Sequence, residues 1–308
     1  LKDPNLTAPD LVESDFSAAG LQYARNDKGQ MLSLPWSVDY FILYYNKELF
    51  QKKGVAVPKT FDEMVAAAEK LTDAKDGTFG FVGRGLRNAN MTLWTNFFLN
   101  YGGEFLDAKG GILTDGPEAI AATKLYQTLL TKVAPPGVAG FNWMEALASF
   151  AQGRAAMWVD GVGWAPGVEN PQQSRIAGKV GYAMVPAGPK GKFSATYGDG
   201  IGIAATSKNK EAAFQWLAYL AAGKGQATWC EKTMNVPVYS EVQKLPVFQN
   251  NRFMKASMDS VSYAGIFPIL DTTAEWISVT WPNTVARALF GELTARQAME
   301  ILQKDLYR

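Results

Sequence analysis

Asp39, Asp160, Asp199, Asp271 and Glu275 are the carboxylates of this 308-residue chain whose neighbours give them chemical potential. Two of them at a set separation would serve glycoside hydrolysis, one as acid and the other as base or nucleophile. Spacing along the chain does not set that separation, and each carboxylate taken alone reads as a cap or surface residue. The sharpest grouping is Asp160-Gly161-Val162-Gly163-Trp164. It follows a strand-like run, its glycines allow close backbone approach, and a tryptophan on a strand-end loop can cover a cleft. Tyr197-Gly198-Asp199-Gly200 sets two polar groups among glycines. Asn235, before Val236-Pro237, is a further polar candidate, with a plain turn as its ordinary reading.

Other chemistries fall away. The chain has no His, which removes Ser-His-Asp and Cys-His systems. Its single Cys, Cys230, allows no intrachain disulfide and no cysteine-ligated zinc. Gly83-Arg84-Gly85 and Gly198-Asp199-Gly200-Ile201-Gly202 are glycine-rich, but neither has the order of a nucleotide-binding loop. No cofactor is expected. Thirty Lys plus Arg against 29 Asp plus Glu give a net charge of +1, which argues against a nucleic-acid partner. No apolar run is long enough to span a membrane. Residues 1–15 have neither the basic nor the apolar region of a signal peptide, so such a leader is absent or removed. At 47% hydrophobic and 19% charged the balance is that of a globular protein of about two domains. Nine Trp and 12 Tyr supply core packing, with some left over to line a cleft.

The elements that must position these groups alternate. Thr60 and Glu63 have capping-box spacing ahead of a helix to residue 72. Asp115-Gly116-Pro117 opens a second helix that Pro135-Pro136 stops. Further helices are expected at 142–152, at 208–222 closed by Gly223, and at 294–306, where Thr294 and Gln297 repeat the capping spacing. Strand-length runs lie at 31–34, 41–45, 78–82, 155–159, 180–185 and 201–205. Strands interleaved with helices predict an α/β fold.

The order of segments carries a resemblance. Leu34-Pro35-Trp36-Ser37-Val38-Asp39-Tyr40 and Leu43-Tyr44-Tyr45-Asn46-Lys47-Glu48-Leu49-Phe50 lead, then Pro58-Lys59-Thr60-Phe61-Asp62-Glu63. Phe150-Ala151-Gln152-Gly153-Arg154-Ala155-Ala156-Met157, Asp160-Gly161, Gly200-Ile201-Gly202-Ile203-Ala204 and Gly291-Glu292-Leu293-Thr294 follow. In that order they resemble the type 1 extracellular solute-binding proteins of ABC importers, and the stretch from Asn170 to Lys179 looks most like their sugar and sugar-alcohol branch.

The resemblance implies a two-lobed periplasmic-binding-protein-like α/β fold that closes on a sugar or polyol and delivers it to the transmembrane subunits of a permease. It implies a monomer outside the cytoplasm, periplasmic or lipid-anchored. Lobe one would hold residues 1–38 and 200–246, and lobe two residues 39–199 and 247–308. Relatives of this kind carry roughly a hundred residues ahead of the Leu-Pro-aromatic segment, so the first lobe is expected to be incomplete here. By position, Asp39 matches an acidic ligand residue at the lobe crossover, with Trp36 and Tyr40 beside it. Trp94 and Trp276 match aromatic contacts, Trp281 being the alternative to Trp276. The expected ligand set is Trp36, Asp39, Tyr40, Trp94, Asp160, Gly161, Trp164, Tyr197, Asp199, Asn235 and Trp276.

Overall fold

A computed structural model describes residues 11–26, 28–86, 89–106, 113, 115–265 and 279–305. In chain order the strands are β1 (Leu34–Asn46), β2 (Phe79–Val82), β3 (Ala155–Gly161), β4 (Val180–Met184), β5 (Ser194–Ile201) and β6 (Ala264–Gly265). The helices are α1 (Ala18–Ala24), α2 (Lys47–Lys53), α3 (Phe61–Leu71), α4 (Met91–Asn100), α5 (Pro117–Lys132), α6 (Trp143–Ala151) and α7 (Ala165–Glu169). After them come α8 (Lys210–Ala221), α9 (Gly223–Thr233), α10 (Ser240–Gln243), α11 (Pro246–Gln249), α12 (Arg252–Ser260), α13 (Trp281–Leu289) and α14 (Ala295–Asp305). None of the described helices is long and apolar enough to cross a membrane.

β1 organises the molecule. Residues 34–40 pair antiparallel with β5, and residues 41–46 pair with β3 and β4. The sheet runs β2-β3-β1-β5-β6, with β4 also on β1. Side chains alternate across a strand, and here the alternation separates two cores. Phe41 and Leu43 enter one with Phe61, Phe97, Trp94 and Trp281. Val38, Tyr40, Ile42 and Tyr44 enter the other with Trp158, Phe150 and Tyr239.

The helix starts follow the expected chemistry. Thr60 Oγ1 accepts from the Glu63 amide, while the Glu63 carboxylate reaches one residue further back, to the Lys59 amide. Asn142 and Glu145 form a full capping box at α6, as do Thr294 and Gln297 ahead of α14. Three expectations are corrected. The runs at 31–34 and 41–45 are not two strands: one continuous 13-residue strand contains the second, and Met31 makes only an isolated bridge to Arg25. Residues 202–205 are not strand, because β5 ends at Ile201 after pairing with Leu34. Gly223 does not end the helical run; it starts α9 directly after α8. α4 had no amphipathic signature because nearly all its residues are buried. Its Asn96 and Asn100 side chains accept from the Ala195 and Phe193 amides and hold the approach to β5.

Candidate functional site

Three chain segments converge where β3 ends. Asp39 and Asp199 lie on β1 and β5, paired so that Asp39 faces Tyr197 and Ser37 faces Asp199. Ser37, Asp39 and Phe41 share one face of β1, as Tyr197 and Asp199 share the matching face of β5. Ser37 Oγ donates to Asp199 Oδ2 at 2.9 Å. Asp160 and Gly161 close β3, which pairs with the second half of β1.

Asp160 is fully buried, and it is paired. Arg84, two residues beyond β2, donates Nε–H to Asp160 Oδ2 at 2.8 Å and Nη2–H to Oδ1. The Gly161 amide adds a third donor at 2.8 Å. A two-pronged guanidinium–carboxylate contact of this kind holds both planes in one orientation. The Arg84 guanidinium lies over the Phe41 ring at 5.4 Å and the Trp143 ring at 5.5 Å. Burial alone would weaken its charge, but the Asp160 carboxylate outweighs this and raises its pKa further. Two phenols fix the backbone: Tyr126 donates to the Arg84 carbonyl, and Tyr44 donates to the Gly161 carbonyl at 2.5 Å. Gly85 completes the turn, since a Cβ there would stand 2.1 Å from the Val138 carbonyl oxygen.

Asp39 is half-buried beside this pair, and its Oδ1 accepts from the Gly163 amide at 3.1 Å. Burial pushes its carboxyl from 3.8 up to about 7; the Gly163 amide and Arg84 oppose the rise, while Asp160 and Asp199 add to it. Asn235 arrives through a strained turn: Met234, the last residue of the α9 cap, holds φ at 58°, a left-handed conformation rare for a residue with a side chain. The Asn235 Oδ1 lies 3.5 Å from where a Cβ would stand on Gly163.

Trp164 stacks on Trp143, with ring centres 6.2 Å apart and planes 17° apart. Its Nε1–H is buried and has no partner among the described residues. An unpartnered buried donor is uncommon in a folded protein. Tyr197 is 38% exposed, with its ring 6.1 Å from Phe41, so it presents surface beside Asp39. The structure therefore brings together Asp39, Asp160, Gly161, Trp164, Tyr197, Asp199 and Asn235.

Three expected residues stand elsewhere. Tyr40 is 1% exposed and packs in the second core, because strand alternation turns it away from the face that carries Asp39. Trp94 is fully buried in the first core, stacked on Phe98 at 4.6 Å and edge-on to Trp281 at 4.4 Å. Its Nε1–H is spent on Thr123 Oγ1. Trp281, the alternative to Trp276, is core as well. Trp36 is half-buried against Trp229, ring centres 4.5 Å apart, at the irregularity between Pro35 and Ser37. Trp276, Asp271 and Glu275 lie outside the described residues. Reading from sequence missed Arg84 and Trp143. Arg84 had a signal, a lone arginine between two glycines just past a strand, and Trp143 had one in the Asn142–Glu145 box that sets it at the start of α6.

Comparison with known proteins places the chain in a family. The mannitol-binding protein of Pseudomonas aeruginosa is 27% identical over 308 residues, covering 91% of this chain and 70% of that protein. Maltose-bound MalE3 of T. maritima superposes with a TM-score of 0.86 at 27% identity, over 96% of this chain and 76% of that one. A solute-binding protein of Agrobacterium radiobacter K84 in complex with ribitol gives 0.85 at 26%, over 95% and 75%. The chain spans 59 to 70% of the length of the curated relatives it matches. Its α/β fold is the two-lobed fold of these binding proteins. The model of the bacterial extracellular solute-binding protein family matches residues 2–227, and the chain belongs to that family.

Proposed function

We propose that this chain captures a sugar or polyol for an ABC importer. The observation that carries the reading is the juxtaposition of Asp39 and the Arg84-held Asp160 with Trp164, whose indole N–H has no partner among the described residues. An accessible carboxylate in Asp39 and the flat ring of Trp164 near one strand end are groups a polyhydroxylated ligand needs, with Asp160 holding the strand end in place. Relatives named for mannitol and maltodextrin binding, and structures holding maltose and ribitol, support the ligand class.

Two lobes, residues 1–38 with 200–246 and residues 39–199 with 247–308, close around this site. The pairing of β1 supports the boundary, since its partner changes from β5 to β3 and β4 after Tyr40. A ligand that contacts both lobes stabilises the closed form. The protein works outside the cytoplasm as a monomer and hands its ligand to permease subunits in the membrane.

The role is non-catalytic. Asp160 has both oxygens engaged by Arg84 and the Gly161 amide, which leaves it a poor nucleophile or base. Intrinsic tryptophan fluorescence of the full-length protein, titrated with monosaccharides, disaccharides and polyols, tests the reading. A saturable change with one of them, and no reducing ends released on incubation with oligosaccharides, is expected. Turnover abolished by Asp160→Asn would establish the hydrolase instead.

A further inference from the structure

The charges around the site go beyond ligand class to ligand sign. Resting on the receptor reading, we infer that the site accepts neutral and amino-bearing polyhydroxylated ligands and rejects those bearing a carboxylate or phosphate. Among the described residues Arg84 is the cation that acts on Asp39, and its charge is already used. Two of its three nitrogens are bonded to Asp160, and it lies over the rings of both Phe41 and Trp143. Turning it towards an incoming anion would leave Asp160 buried and unpaired, which is strongly unfavourable.

Asp39 and Asp199 are the surplus. Asp39 takes one amide donor and has no ion-pair partner among the described residues; Asp199 takes only the Ser37 hydroxyl and is exposed. Paired strands place them on one face, two residues apart in register. An anionic ligand seated between them would meet like charge where water is partly excluded and Coulomb forces are stronger than in bulk solvent. An ammonium group would meet the free Asp39 oxygen instead.

Among the described residues the charged and titratable groups that act on Asp39 are Asp160 on β3, Arg84 beyond β2 and Asp199 on β5, with the hydroxyls of Tyr197 and, from the other face of β1, Tyr44 also within its influence. With the Asp39 carboxyl pushed up to about 7, its charge grows between pH 6 and pH 8, and rejection of anions sharpens over that interval. Salt weakens the effect only in part, because the cluster is half-shielded.

Matched ligand series test this on the full-length protein by calorimetry at pH 8: glucose with glucuronate and glucosamine, galactose with galacturonate and galactosamine, maltose with maltobionate, and mannitol with mannitol phosphate. Within the series whose neutral member binds, the anion should be weaker by about 100-fold or more. The amine should bind at least as tightly as the neutral member. The gap between neutral and anionic members should narrow about tenfold on lowering the pH to 6, and again in Asp199→Asn. An anionic ligand that binds as tightly as its neutral counterpart overturns the inference and leaves the receptor reading standing. No binding by any member of the four series overturns the receptor reading, and the inference with it.

Discussion

Gly161 and Asp39 are fitted to each other: a Cβ on Gly161 would stand 2.0 Å from Asp39 Oδ2. The glycine is needed for space, since its φ of −60° is one any residue adopts. Gly161→Ala must therefore displace the Asp39 side chain from the Gly163 amide. Ligand affinity should fall at least about tenfold, with a loss of about 1 to 3 kcal/mol in folding stability as in other overpacked sites. Titration alongside urea unfolding checks both, and undiminished affinity would show that Asp39 takes no part in binding.

Asp39→Asn should reveal the pH dependence of the site. The folded-state carboxyl titrates near 7 against an ordinary 3.8, so the fold favours its protonated form. That contribution to stability is full below about pH 4 and is lost as pH rises through 7. Asparagine does not titrate. The ligand-free variant should gain roughly 1 to 3 kcal/mol on the parent between pH 5 and pH 8, the half-burial of Asp39 limiting the figure. Thermal melts at the two pH values measure it, and a difference independent of pH would contradict the assignment.

Breaking the Arg84–Asp160 pair from one side should cost about 3 to 5 kcal/mol, because the remaining charge stays buried and alone. Arg84→Met and Asp160→Asn are both expected in that range. The double variant should recover part of the loss, since the charge has then gone from both sides. A double-mutant cycle by chemical denaturation measures the coupling, and strict additivity would mean that the two groups do not interact.

Trp164 and Trp94 should separate cleanly. Trp164→Ala is expected to weaken ligand binding by about 1 to 3 kcal/mol, by analogy with base stacking on aromatic rings, and to change ligand-free stability little. Trp94→Ala is expected to cost about 3 to 5 kcal/mol of stability, since it empties a core position against Phe98 and Trp281. Melting and titration of both variants decide the matter, and a large stability loss in Trp164→Ala would move that residue into the core.

Local chemistry made much of this protein legible in its sequence. Capping residues act within one helical turn, so Thr60, Asn142 and Thr294 marked helix starts that the structure keeps. Asp160-Gly161 and Trp164 were recognisable as a strand-end grouping, because a strand end, two glycines and a tryptophan are neighbours in the chain. The order of segments pointed to the family by itself.

What needed the tertiary structure was the side on which each residue falls and the partner it meets. Asp39 and Tyr40 are adjacent in sequence, yet strand alternation sends one to the face that Tyr197 and Asp199 share and the other into a core. Trp94 resembled a ligand contact until α5 supplied Thr123 for its N–H and α13 supplied Trp281 for its face. Arg84 lies 76 residues from Asp160, and only the parallel pairing of β2 with β3 brings them together. The charge of the site follows from that pairing. Whether an arginine neutralises a neighbour or greets a ligand depends on distances of a few ångströms, and those are set by strand register rather than by composition.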